Sequence, residues 1–355
     1  MASRAGAHVT GHIPARPIPI PGRLDDDERV DVRFVAASAI EQYQVADLKA
    51  LLERDDGLTW VDVPECDDEA SGVLSDVFAV HPMALHACQE RNHTPSVHGY
   101  PGHVFVVLHS PEVRQAGHVH LLELDQFIGR NYLVTVHGPV NPVVPLEAAL
   151  EETRGVLRRL ESGRFRPRSP AQLSYAIVSA MVRRQRTLIG AVAERAAGIE
   201  TRVMTDELRN PEPLLEQMFL LRHELLTVRT MAAEGREVYA RMLRLPGAPA
   251  QDRPWVEDLL DQFDRVRSIG DGEKEFLAEV MDLYQTRVTT KMTMAMERLA
   301  VLAAVTLPIT AIASVYGMNV IVNQRTHVAQ LGLVLALMLV ISGLLLRWTK
   351  RQGWW

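Results

Sequence analysis

Oxygen-bearing side chains recur at helical spacing near the C-terminal end of the 355-residue chain: Thr293, Thr310, Ser314 and Asn319. With Met296, Leu299, Ala303 and Leu307 between them and Asp282 further back, they fall on steps compatible with one face of a helix. From Leu299 to Asn319 there is no charged residue. Neutral amide oxygens such as that of Asn319 accept hydrogen bonds from the waters of a hydrated divalent cation without stripping them. They also bind weakly enough to let the ion leave, as conduction requires. Gly317 allows a sharp turn beside Asn319. A Gly and an Asn at such a place can equally do no more than end a helix, so the surrounding elements decide the reading.

Those elements are two apolar runs. Leu299–Met318 and Val328–Leu346 are both uncharged, and about 20 helical residues rise about 30 Å, enough to cross a bilayer core. Pro308 lies inside the first run, where neighbouring helices can satisfy the carbonyl it frees. Arg287, Lys291 and Arg298 precede the first run, and Arg347, Lys350 and Arg351 follow the second. The connection Asn319–His327 carries only Arg325. By the positive-inside rule both termini are cytoplasmic, and the chain is expected to be a multi-pass protein of the cell (inner) membrane. Trp348, Trp354 and Trp355 suit the lipid interface.

Upstream, short β-rich runs alternate with helical ones. Val30–Val35, Leu58–Val63, His103–His109, His118–Ile128 and Asn131–His137 predict strands, and residues near 40–54 and 68–89 predict helices. Beyond Pro142 the pattern turns helical, over 144–160, 170–206, 212–244 and from Pro254 towards the membrane. Gly270 and Gly272 would loosen the last of these. Unbroken from Pro254 to Met318 it would measure about 100 Å and would call for an oligomeric bundle around the first span. The expected fold class is therefore an α+β membrane protein. A disordered Pro-rich leader (1–28) precedes a cytosolic α/β domain (29–140), a helical and stalk region (141–297) and a transmembrane hairpin (298–355). No signal peptide is read in the leader, which Pro14, Pro17, Pro19 and Pro21 interrupt.

In this setting Tyr316-Gly317-Met318-Asn319 resembles the signature of the CorA-type magnesium/cobalt transporters, a group of two-span GxN metal-ion transporters that includes ZntB-like members. His81-Pro82, Pro95, Tyr100, Val104–Leu108 and Gly129–Thr135 resemble the family's cytosolic domain. The resemblance implies a homopentameric funnel whose pore is lined by five copies of the first span. Asn319, with Tyr316, Gly317 and Met318, would form the selectivity ring, and Thr310 and Ser314 would offer hydroxyls within the pore. Leu299 and Met296, with Leu307 and Thr293, would form the gate, and Asp282 would ring the cytosolic mouth. Asp258 and Asp261 would take part in a regulatory metal site. The partners implied are metal ions, lipid and further copies of the chain. Mg2+ is the transported and regulatory ion, and no tightly bound cofactor is expected.

The chain departs from that pattern at three places. The outer loop has no carboxylate and one Arg325, which would repel cations; Thr293 stands where Asn is common; and Ala87 occupies the acidic sensing position. The ion is accordingly read as Mg2+, with Co2+ or Ni2+ also admitted. The alternatives are ZntB-like proton-coupled Zn2+ movement and a non-conducting metal sensor or scaffold. His118 and His120 share a strand face and could hold a transition metal, though no Cys completes a set. The acidic run Asp25–Glu28 reads as a solvated linker, and Cys66 and Cys88 as free thiols. Acidic residues outnumber basic ones, 44 to 38, which argues against nucleic acid as partner. No P-loop, dinucleotide turn or nucleophile motif points to an enzyme.

Overall fold

A computed structural model describes residues 30–37, 39–114, 118–139, 141–205, 212–246, 250–317 and 328–351. The described chain divides into two compact units. One runs up to Val192 and includes His223–Glu273; the other comprises Ala193–Arg222 and the residues from Lys274 onward.

The first unit is built on a seven-stranded sheet of β1 (Asp31–Ala36), β2 (Ile40–Tyr43), β3 (Gly57–Val63), β4 (Ser96–Tyr100), β5 (His103–Val113), β6 (Val119–Gly129) and β7 (Tyr132–His137). The order is β2-β1-β3-β7-β6-β5-β4. β3 and β7 pair in parallel and the other neighbours pair antiparallel. A sheet covered on both sides needs apolar residues on both faces, and β5 and β6 supply them. Phe105, Val107 and Phe127 join Phe34, Val61 and Val134 in a core with Leu48, Leu74 and Ala84 of the helices α1 (Leu48–Leu52), α2 (Asp68–Asp76) and α3 (Pro82–Gln89). On the other face of β6, Gln126 accepts a hydrogen bond from Ser174 of α6 (Pro170–Thr205).

Two local expectations are corrected and one strand is added. Residues 40–54 are not one helix. Ile40–Tyr43 pairs with β1 as an edge strand, and only Leu48–Leu52 is α-helical. The stretch 68–89 breaks in two where Ala79 takes a φ of 50° and His81 caps α3, its Nδ1 accepting from the Met83 amide. β4 was not foreseen, because its sequence SVHGY lacks a run of β-formers; pairing with β5 holds it in the sheet.

The helical region holds α4 (Leu146–Ala149), α5 (Glu151–Glu161), α6, α7 (Glu212–Met242), α8 (Arg253–Gly317) and α9 (Val328–Arg351). α8 runs 65 residues through Gly270, Gly272 and Pro308 without a break. Gly270 does not loosen it: a Cβ there would come within 3.3 Å of the Arg229 Cβ, so the missing side chain admits α7 instead.

The second unit contains α9 and the part of α8 from Lys274 onward, with the apolar stretches of both. Both are long and apolar enough to cross a membrane, and only 6% and 11% of their most apolar stretches are buried. A core helix of a soluble protein would be mostly buried, so this exposure favours spans.

Candidate functional site

The predicted ion pathway maps onto α8. At about 100° per residue, Asp282, Thr293, Met296, Leu299, Ala303, Leu307, Thr310 and Ser314 fall within an arc of about 120°. All eight are exposed in the single chain, with Leu299 at 65% and Leu307 at 67%. The shielded side chains of the same span are Val301, Ala304, Val305, Pro308, Ile309 and Ile312. They occupy a separate arc, centred about 150° away by the same helical geometry.

The hydroxyls on this helix have a defined polarity. Thr293 donates to the Thr289 carbonyl at 3.0 Å, and Thr310 donates to the Thr306 carbonyl at 2.8 Å. A hydroxyl whose proton is committed to the backbone presents only its lone pairs outward. Those oxygens can accept from water, which is what the oriented shell of a hydrated cation offers. Gly317 is the last residue of α8 and exposed, with open space where a Cβ would sit. Met318 and Asn319, the side chain of Tyr316 and the loop bearing Arg325 lie outside the described residues, as do the leader and Asp25–Glu28.

The two carboxylates expected at a regulatory site lie near the start of α8. Asp261 is exposed. Asp258 is half-buried and held through one oxygen, Oδ2, which accepts from the Tyr175 hydroxyl and from Gln262 Nε2. These two bonds hold its carboxyl below the usual range. Ala87 packs against the core beneath the sheet and brings no oxygen ligand. Among the described residues no three His, Cys, Asp or Glu side chains converge as a metal site. His118 lies just ahead of β6, and His120 approaches Asn141 at 3.5 Å. Cys66 and Cys88 are both free thiols.

Two charged groupings escaped the sequence reading. Arg184 of α6 gathers Glu112, Glu151 and Glu152 from β5 and α5. Asp125 on β6 is fully buried; among the described residues no nitrogen or oxygen donor reaches either carboxylate oxygen, and the Cys88 thiol is nearby. Arg184 and Glu112 stand 72 residues apart, so no local signal links them.

Comparison with known proteins assigns the family. Residues 55–351 match the model of the CorA-like Mg2+ transporter protein family. The Bacillus subtilis (strain 168) protein YfjQ is 26% identical over 83% of this chain and 89% of its own length. The cobalt/magnesium transport protein CorA of Thermotoga maritima is 20% identical over 94% of each chain. The complete structure of the CorA magnesium transporter from Methanocaldococcus jannaschii superposes with a TM-score of 0.74, at 19% identity, over 92% of this chain and 99% of that one. An α/β domain, a long helix and two C-terminal apolar helices thus agree with a match spanning most of the sequence, and the chain belongs to the CorA-like Mg2+ transporter family.

Proposed function

We propose that the protein is a membrane channel for hydrated Mg2+, with five copies of α8 placing Asn319 as a selectivity ring at the outer mouth. The observation that carries the reading is the exposed arc of α8. Eight pathway positions share one side of an uninterrupted helix, and that side lacks the cover an apolar surface seeks in its own chain. A symmetric ring of copies is the economical way to bury it. In the ring the Thr310 and Ser314 oxygens would face the ion's water shell, and Met296, Leu299 and Leu307 would form a dewetting constriction. Asp282 would concentrate cations at the cytosolic end. An inside-negative potential of about 100 mV supplies about 4.6 kcal/mol per divalent ion, so inward flux needs no other energy source. The domain limits and the cytoplasmic placing of both termini, argued from the basic residues flanking the spans, belong to the same proposal.

The test is ion influx into proteoliposomes under imposed voltage or pH gradients, comparing the natural chain with Asn319→Ala. Voltage-driven Mg2+ influx that the substitution abolishes is the expected result. The loop without carboxylates favours one competing outcome, Zn2+ flux that requires a pH gradient, and that result would move the protein to ZntB-like transport. No flux of either ion would leave a metal-sensing scaffold.

A further inference from the structure

An open groove of about 600 Å3 lies in the first unit, where the end of β5 meets α5 and α6. The volume falls within the range of small-molecule sites, roughly 300–1,000 Å3. Its floor is apolar, with Val156 of α5 and Ala180 and Leu188 of α6. The charges around that floor are unequally committed. Arg184, deep in the groove, takes Glu112 at 2.5 Å, Glu152 at 3.1 Å and Glu151 at 3.4 Å. Glu152, 7% exposed at its side chain, also accepts from the Ser110 hydroxyl. All three carboxylates lining the groove are therefore committed, each to Arg184 and Glu112 also to Arg114.

Three further arginines line the same groove: Arg158 and Arg159 on α5, and Arg183 on α6. All are exposed, and none is ion-paired among the described residues. Arg159 stands over the Phe165 ring at 5.1 Å, which orients its guanidinium without neutralising it. Like charges gathered on two helices around one apolar floor repel each other at any pH a cell offers, because guanidinium does not lose its proton. An anion between them removes the repulsion, and guanidinium matches the geometry of phosphate oxygens bidentately. The apolar floor and the volume call for more than a bare phosphate.

We propose that this groove binds a phosphorylated metabolite of nucleotide size, its phosphates on Arg158 and Arg183 and its flat apolar body over Val156 and Leu188. The groove is built from residues of the first unit alone, and the proposal stands without the transport reading.

The experiment measures binding of adenosine triphosphate to the full-length protein in detergent by titration calorimetry, with adenosine and orthophosphate as separate probes. Arg158→Ala/Arg183→Ala should weaken nucleotide binding by about tenfold or more, as loss of two charge-assisted contacts implies. Arg164→Ala, outside the groove, should leave it unchanged. Unaltered thermal midpoints in both variants would show that folding is intact. Adenosine alone should not bind, and orthophosphate should not displace the nucleotide at equal concentration. Absence of nucleotide binding to the natural chain in the millimolar range, or equal affinity in the double variant, would overturn the proposal. Equal displacement by orthophosphate would overturn its nucleotide-sized occupant.

Discussion

The Tyr175 hydroxyl donates to Oδ2 of Asp258 at 2.7 Å, so a carboxylate proposed to bind a regulatory ion is oriented by a residue 83 positions away in its own chain. Gln262 donates to the same oxygen at 2.5 Å, and Oδ1 takes neither bond. A carboxylate held this way is kept ionised, which lowers its pKa, and is pre-aimed at a cation.

If Asp258 binds Mg2+, the ion should raise the thermal midpoint of the purified protein. Asp258→Asn should erase that rise. Tyr175→Phe should keep it but require about three- to tenfold more Mg2+, because the ligand remains while its orienting bond is lost. A midpoint in Asp258→Asn that still climbs with Mg2+ as in the natural chain would remove Asp258 from the site.

The bond between Tyr175 and Asp258 marks the boundary of what the sequence could disclose. Elements with a strong period were legible: the central strands, the two apolar runs and the helix that became α8 all announce themselves through apolar spacing. Elements held by their neighbours were not. Ile40–Tyr43 is a strand because β1 pairs with it, and the break at Ala79 comes from a backbone turn that no Gly or Asn marks. The candidate pathway was readable because it lies on one helix, where spacing alone fixes the face. The groove arginines and the Asp258 network join distant segments, so only the folded chain brings them together.

Asp125 should make the protein less stable as pH rises. Its cross-strand neighbours are Val107 and Val136, and burial first, then the nearby Glu123 charge, push its carboxyl well above the ordinary range. The native state therefore keeps a proton that the unfolded chain releases near pH 4. Stability falls from there as pH rises towards the raised native pKa, and the loss is complete above it. Asp125→Asn removes the charge and should flatten that limb. It should raise stability at pH 8 by about 1 kcal/mol or more, read from denaturant unfolding at pH 5 and pH 8. An unchanged slope would show that the carboxylate is solvated in the folded protein.

Two glycines should respond to alanine with opposite signs. At Gly235 a Cβ would lie 2.5 Å from the Phe263 ring, which is 2% exposed and stacked on Tyr239. The ring has no room to yield, so Gly235→Ala should cost about 1–2 kcal/mol net of its gain in helix propensity. At Gly272 nothing lies within 4 Å of the added atom, and Gly272→Ala should stabilise by about 0.5–1 kcal/mol. Thermal unfolding of the two variants side by side checks the packing of α7 on α8. Equal shifts would mean that this close approach is absent in solution.

The constriction on α8 can be tested against its own far side. Met296 and Leu299 are 54% and 65% exposed in one chain, and in a ring of copies they would narrow the path until water leaves it. A hydroxyl at either level gives water a partner and lowers the barrier to wetting. Met296→Ser and Leu299→Ser should therefore raise resting Mg2+ influx several-fold in proteoliposomes, at an unchanged thermal midpoint. Met294 is the control. It is 51% exposed and just as apolar, yet it points about 160° from the centre of the pathway arc by helical geometry. Met294→Ser should leave the resting flux unaltered. If Met294→Ser leaks as much as Leu299→Ser, the effect is loosened packing and not wetting, and the pathway does not follow the face assigned to it.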